Sequence, residues 1–245
     1  ELHHAKKMQT IGTLAGGIAH DFKNILMPII GYANMITYDL DPIKFCSIIK
    51  DLQKIIQAAE RANELVNQIL TFSHKKEIEK QPFLFNELLN NTVSLLRASI
   101  PTSVEFSIIN ECKKALIKAN YTHIQQVIMN ICTNASHSMH NKGPISIFVR
   151  ELKIRGTLIQ RFGKLHSGDY IALSIEDKGH GISQENIERI FDPFFTTKDV
   201  GKGTGLGLSV AQGIINNHNG LLHVTSKIKK GTIFEIFLPI FNQDA

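Results

Sequence analysis

No apolar run in this 245-residue chain reaches the roughly 18 residues that a membrane-spanning helix needs. No secretory signal pattern opens it. Cysteine is scarce: Cys46, Cys112 and Cys132 are an odd number with no C-x-x-C pair. That argues against both a disulfide framework and a thiolate zinc site, and leaves small buried thiols in a reducing compartment as the expectation. Dense Lys/Arg clusters are missing as well. The net charge of +5 comes from scattered basic residues, so the surface reads as solvated and mixed in sign, without a nucleic-acid footprint. Internal repeats and low-complexity tracts are absent. What remains is an ordinary globular composition, 43% hydrophobic and 20% charged, at a length that allows one large domain or two modest ones. The first residues, ELHHAKKMQTIG, begin inside a helical pattern, as a piece cut from a longer protein would.

The two parts of the chain follow different rules. Residues 1–80 read as helix, and residues 81–245 alternate strands, helices and glycine-rich turns. The boundary falls at Lys80-Gln81-Pro82, because proline disfavours helix in the residue before it. In the first part Met8, Ile11, Ala15, Ile18, Phe22, Ile25, Ile29, Tyr32 and Ile36 are separated by three and four residues in turn, a heptad seam. Asp41-Pro42 ends that helix and starts another. The second seam runs through Phe45, Ile48, Leu52, Ile55, Ala59, Ala62, Val66 and Ile69. A hairpin of two such helices cannot bury both seams alone. A second copy would complete a four-helix bundle, so a homodimer is expected. Packing of the hairpin on its own chain's second part is the alternative.

His20 lies off the seam, on the outward face, with Asp21 beside it and Asn24 one turn further along. Pro28 removes the backbone hydrogen bond to the Asn24 carbonyl and should bend the helix just past the histidine. A lone exposed histidine is usually just surface, and these neighbours do not settle the matter.

The second part carries the richer pattern. Residues 121–139, YTHIQQVIMNICTNASHSM, predict a helix with an apolar stripe at Ile124, Val127, Ile128, Ile131 and Ala135. Asn130 and Asn134 share one of its faces. Two such asparagines are either a wet surface or a pair of carbonyl oxygens offered to a hard cation such as Mg²⁺. Residues 170–177, YIALSIED, predict a central strand that leads into Asp177-Lys178-Gly179-His180-Gly181. A carboxylate at a strand end followed by alternate glycines lets a flat ligand approach the backbone. Gly201, Gly203, Gly205 and Gly207 alternate directly before the helical run SVAQGIINNH. Glycine-rich backbone feeding a helix N-terminus offers N–H groups to phosphates. The spacing is neither a Walker A loop nor a Rossmann fingerprint. Between the clusters, FDPFFTTKDVGKG has aromatics and then a polar stretch, as a mobile cover would.

Taken in order, H-D-F-K-N at 20–24, N-x-x-x-N-A at 130–135, D-x-G-x-G at 177–181, F-D-P-F-F at 191–195 and G-x-G-T-G-L-G-L at 201–208 resemble the full box set of sensor histidine kinases. The resemblance covers essentially the whole chain. It implies a helical dimerisation and phosphoacceptor hairpin followed by a Bergerat-type α/β two-layer sandwich that binds ATP. That second fold is shared with gyrase-type topoisomerases, mismatch-repair ATPases and ninety-kilodalton heat-shock chaperones. His20 resembles the phosphoacceptor. Asp21 matches the acid that polarises its imidazole. Asn24 matches the residue that orients water when the partner is dephosphorylated. Asn134 resembles the Mg²⁺ ligand and Asn130 its helper. Asp177 resembles the adenine reader, with Gly179 and Gly181 the first glycine box. Gly203, Gly205 and Gly207 resemble the hinge of the phosphate-binding cover, and Phe194 and Phe195 the aromatic box that supports it. His137 occupies a place where some relatives carry a basic phosphate contact. Lys198, Gly201, Thr204 and Leu206 complete the nucleotide-binding set. A response-regulator receiver domain is the implied partner. The implied location is the cytoplasm, with any membrane anchor outside this chain.

Some positions depart from the family pattern. Lys23 and Lys178 stand where asparagine, or at the second position threonine, is common, and Asn120 replaces an aspartate at the start of the asparagine-box helix, where it can still cap. Residues 153–168 read as a longer loop than the minimal fold needs. Two rival readings stay open at this point. A chaperone or mismatch-repair ATPase of this fold would usually place a water-activating glutamate where Asn130 stands. A non-catalytic dimeric adaptor would show damaged boxes, and these are intact.

Overall fold

A computed structural model describes residues 22, 24–42, 44–73, 79–160, 162–198 and 204–242. His20, Asp21, Gly201 and Gly203 lie outside the described residues, as do Lys23 and the seam positions before Phe22. The chain divides into two compact units, Glu1–Lys76 and Glu77–Ala245.

In the first unit, residues 24–39 form helix α1, which continues through Pro28, and Cys46–Ser73 form α2. Asp41 makes the turn between them: its carbonyl accepts from the Phe45 amide at 3.0 Å and its Oδ1 from the Lys44 amide at 3.2 Å. Most of the described seam positions are uncovered in the single chain, with Phe45 and Leu52 half-buried. Phe22, Ile25, Ile29, Tyr32, Ile36, Ile48 and Ile55 are all exposed, and Ala33 and Ala59 are buried.

The second unit is built on a five-stranded sheet in the order β2-β4-β7-β9-β8. Its strands are Val104–Asn110 (β2), Gly143–Ile154 (β4), Gly168–Asp177 (β7), Leu221–Lys227 (β8) and Gly231–Pro239 (β9). The β2–β4 pair is parallel and the rest are antiparallel. Gln81–Leu84 (β1) pairs with Leu116–Ala119 (β3) in a separate ribbon. Helices Phe85–Ser99 (α3), Tyr121–Ser138 (α4) and Gly207–Asn217 (α6) accompany the sheet, with a one-turn helix, Gln184–Ile187 (α5), after β7. Leu88, Leu89 and Leu96 of α3, Ile124, Ile128 and Ile131 of α4, and Ile145, Ile147 and Ile171 of the sheet are almost fully buried. The predicted two-layer arrangement is the one observed. Asn120 caps α4, its side chain accepting from the His123 amide at 3.0 Å.

Residues 153–168 correct the expectation of a loop. After β4 ends at Ile154, Leu158–Gln160 (β5) and Gly163–Leu165 (β6) pair as a small hairpin. Leu165 joins Ile154, Tyr170, Ala172, Leu221 and Phe237 in a second apolar cluster. Ala172, Phe237 and Leu221 are register partners, so they share one sheet face, and Leu173, Ile236 and Leu222 share the other. Strand β7 is therefore buried on both faces where it reads YIAL, which is why its alternation fails there. Among the described residues no helix is long and apolar enough to cross a membrane.

Candidate functional site

Strand β7 ends at Asp177, only 3% exposed. Its Oδ1 accepts from the Gly179 amide at 2.8 Å and stands 3.0 Å from the Ser138 hydroxyl, and the Thr232 backbone adds a third hydrogen bond. Burial pushes this carboxyl above its ordinary range, and the three donors pull it back down. Ser138 also stands 2.8 Å from the Ala135 carbonyl, so one hydroxyl hydrogen serves two acceptors. Gly179 is demanded by close approach: a Cβ there would lie 2.0 Å from Ser138 Oγ and 2.8 Å from Asp177 Oδ1. Gly181 continues the turn beneath the Lys227 carbonyl.

The asparagines of α4 face the next part of the site. Asn130 Nδ2 donates to the Gly207 carbonyl at 3.3 Å, tying α4 to the first residue of α6. Asn134 Oδ1 accepts from Lys198 Nζ at 3.4 Å, and the same ammonium lies 3.0 Å from His137 Nδ1. Burial lowers the Lys198 pKa. Burial first, and then the Lys198 charge, lowers that of His137. An ammonium has no lone pair, so His137 Nδ1 must be the acceptor, in keeping with a neutral ring. The positive charge of this corner thus rests on Lys198 and not on His137. Asn134 already turns its oxygen toward a cation, which is the behaviour a hard-metal ligand requires.

The aromatic box lies against the glycine-rich segment through its backbone. Phe194 is 61% exposed, and its backbone, at φ +65°, meets Gly205. A Cβ at Gly205, itself at φ +65°, would lie 2.3 Å from the Phe194 carbonyl carbon, so glycine is required. Phe195 packs under the Arg189 guanidinium, 4.5 Å from the ring centroid. Buried Phe191 receives the Phe162 ring edge-on at 4.8 Å. Thr204 Oγ1 accepts from the Leu206 amide at 3.2 Å, and Leu206 is the N-cap residue of α6. A Cβ at Gly207 would meet nothing nearer than 3.8 Å, so Gly207 contributes its carbonyl to Asn130 and is not needed for its conformation.

Asn130, Asn134, His137, Asp177, Gly179, Gly181, Phe194, Phe195, Lys198, Thr204, Gly205, Leu206 and Gly207 thus belong to one unit, and Asn24 is exposed on α1 of the other. Sequence reasoning missed Ser138 and Gly231. Ser138 follows Asn134 by one turn on the same helix, and that spacing could have pointed to it. Gly231, at φ +98°, brings its Cα against the Asp177 carbonyl, where a Cβ would lie 1.9 Å away. Only strand pairing reveals that contact.

Sequence comparison covers both units. The family described as "Histidine kinase-, DNA gyrase B-, and HSP90-like ATPase" matches residues 119–242, and the "His Kinase A (phospho-acceptor) domain" matches residues 10–78. The fold and site define an ATPase-type nucleotide-binding unit, and with the phospho-acceptor match the chain belongs to the sensor histidine kinase family. It is 36% identical to "Sensor kinase CckA" of Brucella abortus (strain 2308), over 98% of this chain and 25% of that protein. It is 33% identical to "Signal transduction histidine-protein kinase AtoS" of Escherichia coli (strain K12), over 96% of this chain and 36% of that protein. The chain therefore spans roughly a quarter to a third of the length of these curated relatives. Among solved structures, full-length ShkA in complex with AMPPNP superposes with TM-score 0.74 at 19% identity, over 93% of this chain and 45% of that one. The catalytic domain of histidine kinase ThkA gives TM-score 0.52 at 28% identity, over 66% of this chain and 95% of that one.

Proposed function

We propose that the chain is the catalytic core of a sensor histidine kinase, which transfers the γ-phosphoryl group of Mg-ATP to its own His20 and then to an aspartate of a response-regulator receiver domain. The observation that carries this reading is the buried, donor-clamped Asp177 in the same unit as an asparagine whose carbonyl faces a cation. A carboxylate offers about four lone-pair sites, so Asp177, engaged by three donors, keeps capacity for the adenine amino group. The same carboxylate rejects a base that presents a carbonyl at that point. Asn134 Oδ1, with Asn130 on the same face, would hold the metal. Mg²⁺ held there would supply neutralisation of phosphate charge. Lys198 supplies a further positive charge at the same corner, and the backbone from Thr204 to Gly207 leads into the N-terminus of α6, where phosphates are favoured.

Phosphoryl transfer demands positioning more than covalent assistance. A nitrogen lone pair of His20 attacks phosphorus, the bond to the bridging oxygen breaks, and ADP leaves with the electron pair. To Asp21 we assign the role of polarising the imidazole so that its other nitrogen is the better nucleophile. To Asn24, exposed on α1, we assign the orienting of water for dephosphorylating the regulator. We assign residues 1–80 to dimerisation and phosphotransfer and residues 81–245 to ATP binding. The uncovered seam on α1 and α2 favours a homodimer, since exposed residues at that spacing gain most from a second copy.

The test is incubation with γ-labelled Mg-ATP, comparing wild type with His20→Gln and Asn134→Ala. Acid-labile, alkali-stable label lost in both variants is the expected result. Nucleotide binding with no label on the protein would turn the assignment to a non-catalytic adaptor. Steady phosphate release independent of His20 would turn it to an ATPase.

A further inference from the structure

A cavity of about 200 Å³ opens in the second unit at the C-terminal end of α6, the end away from Gly207. Its apolar floor is offered by half-buried Pro239, Ile240 and Phe241, backed by Ile117 and Ala119 of β3 and Leu238 of β9, which are at most 2% exposed. Two lysines, Lys80 and Lys118, line it, and no carboxylate among the described residues does. Glu79, next to Lys80 in the chain, instead accepts from Gln81 Nε2 at 3.1 Å.

The walls are built firmly. His218 is buried, with Nε2 accepting from the Asn120 amide at 3.0 Å and Nδ1 lying 2.7 Å from the Ile214 carbonyl. An amide can only donate and a carbonyl only accept, so the ring is neutral, with its hydrogen on Nδ1 and both nitrogens satisfied. Phe241 donates its amide to the Leu116 carbonyl at 2.8 Å, and Ile240 donates to the Asp169 carbonyl at 2.9 Å. These bonds pin Ile240 and Phe241 beside the cavity. The Lys118 ammonium lies 5.6 Å from the Phe241 ring centroid, and Lys80 Nζ donates to the Asn217 carbonyl at the end of α6.

We propose that this cavity binds a small organic anion, a carboxylate carried on a flat apolar body. The floor takes the apolar body, and the two ammonium groups take the charge. The volume lies below the roughly 300 Å³ at which drug-sized ligand sites begin, which suits a small ligand. The site is separate from the Asp177–Asn134 site: α6 has 11 residues, about 16 Å at 1.5 Å per residue, and runs from the cavity to the Gly207 carbonyl that Asn130 holds. A bound anion competes with the Asn217 carbonyl for Lys80, so it acts on the helix whose far end carries the glycine box.

The experiment is fluorine NMR of 4-fluorobenzoate titrated with the whole 245-residue chain. Saturable line broadening that persists when AMPPNP is saturating is the expected result. Lys80→Gln and Lys118→Gln should each weaken binding about fivefold, and the double variant about 25-fold, with unchanged thermal melting to show that the variants are folded. The neutral 4-fluorobenzyl alcohol should show no saturable broadening. Absence of saturable broadening, displacement by AMPPNP, equal binding by the lysine variants, or equal binding of the alcohol would each overturn the proposal. Displacement by inorganic phosphate as effective as by unlabelled benzoate would also overturn it, because the apolar floor would then contribute nothing.

Discussion

The two units use the same aliphatic residues to opposite ends. In the α/β unit Ile128, Ile131 and Ile145 show no exposed surface, whereas in the helical unit Ile25 is 59% and Tyr32 67% exposed. The difference is one of geometry. A sheet covered by helices on one face and partly closed by a hairpin on the other is self-sufficient. Two helices present more apolar surface than they can bury on each other. One unit can therefore fold as a single copy, and the other needs a second surface.

That contrast can be broken directly. Ile128→Ala should cost the α/β unit about 2–5 kcal/mol in urea unfolding, as a fully buried aliphatic truncation does. Ile36→Ala, at a residue 48% exposed in the single chain, should leave unfolding of the isolated chain nearly unchanged and instead raise the concentration at which a dimer forms, read by sedimentation equilibrium. Equal effects of the two truncations on a monomer would remove the distinction. Next in size, Gly179→Val should weaken AMPPNP binding by about a hundredfold in calorimetry, because its Cβ would displace Ser138 and Asp177.

A pH experiment sharpens the picture within the α/β unit. Burial lowers the His218 pKa, with Lys80 and His123 adding to the effect and the Ile214 carbonyl opposing it. The folded state therefore holds the ring neutral while the unfolded chain protonates it near its ordinary value of about 6.5. The resulting stability is present above that value and is lost as pH falls through it. Urea midpoints should drop from pH 7.5 to pH 5.5 in wild type. They should drop less in His218→Gln, whose carbonyl can still accept from Asn120. The smallest effect belongs to the exposed pair Lys54–Asp51 on α2, at 2.9 Å: Asp51→Ala should change stability by less than about 0.5 kcal/mol.

Legibility in the sequence followed the range of the interaction. The Asn120 cap acts on His123 three residues on, and the heptad seams repeat locally, so both could be read directly. The β5–β6 hairpin could not. Its strands are three residues each, too short to show a period, and their partner cluster includes Leu221 and Phe237 from far along the chain. The Lys198–His137 contact joins residues 61 apart, and nothing local says which of the two carries the charge.

By itself the sequence determined the helical hairpin, the alternating second part and the order of its motifs, because these depend on period, capping and turn chemistry within a few residues. Only the tertiary structure decided that Ser138 and Gly231 enclose Asp177, that the Phe194 backbone meets Gly205, and that a hairpin closes the second face of β7. Those outcomes turn on distances of 2–4 Å between segments remote in the chain, which packing alone sets.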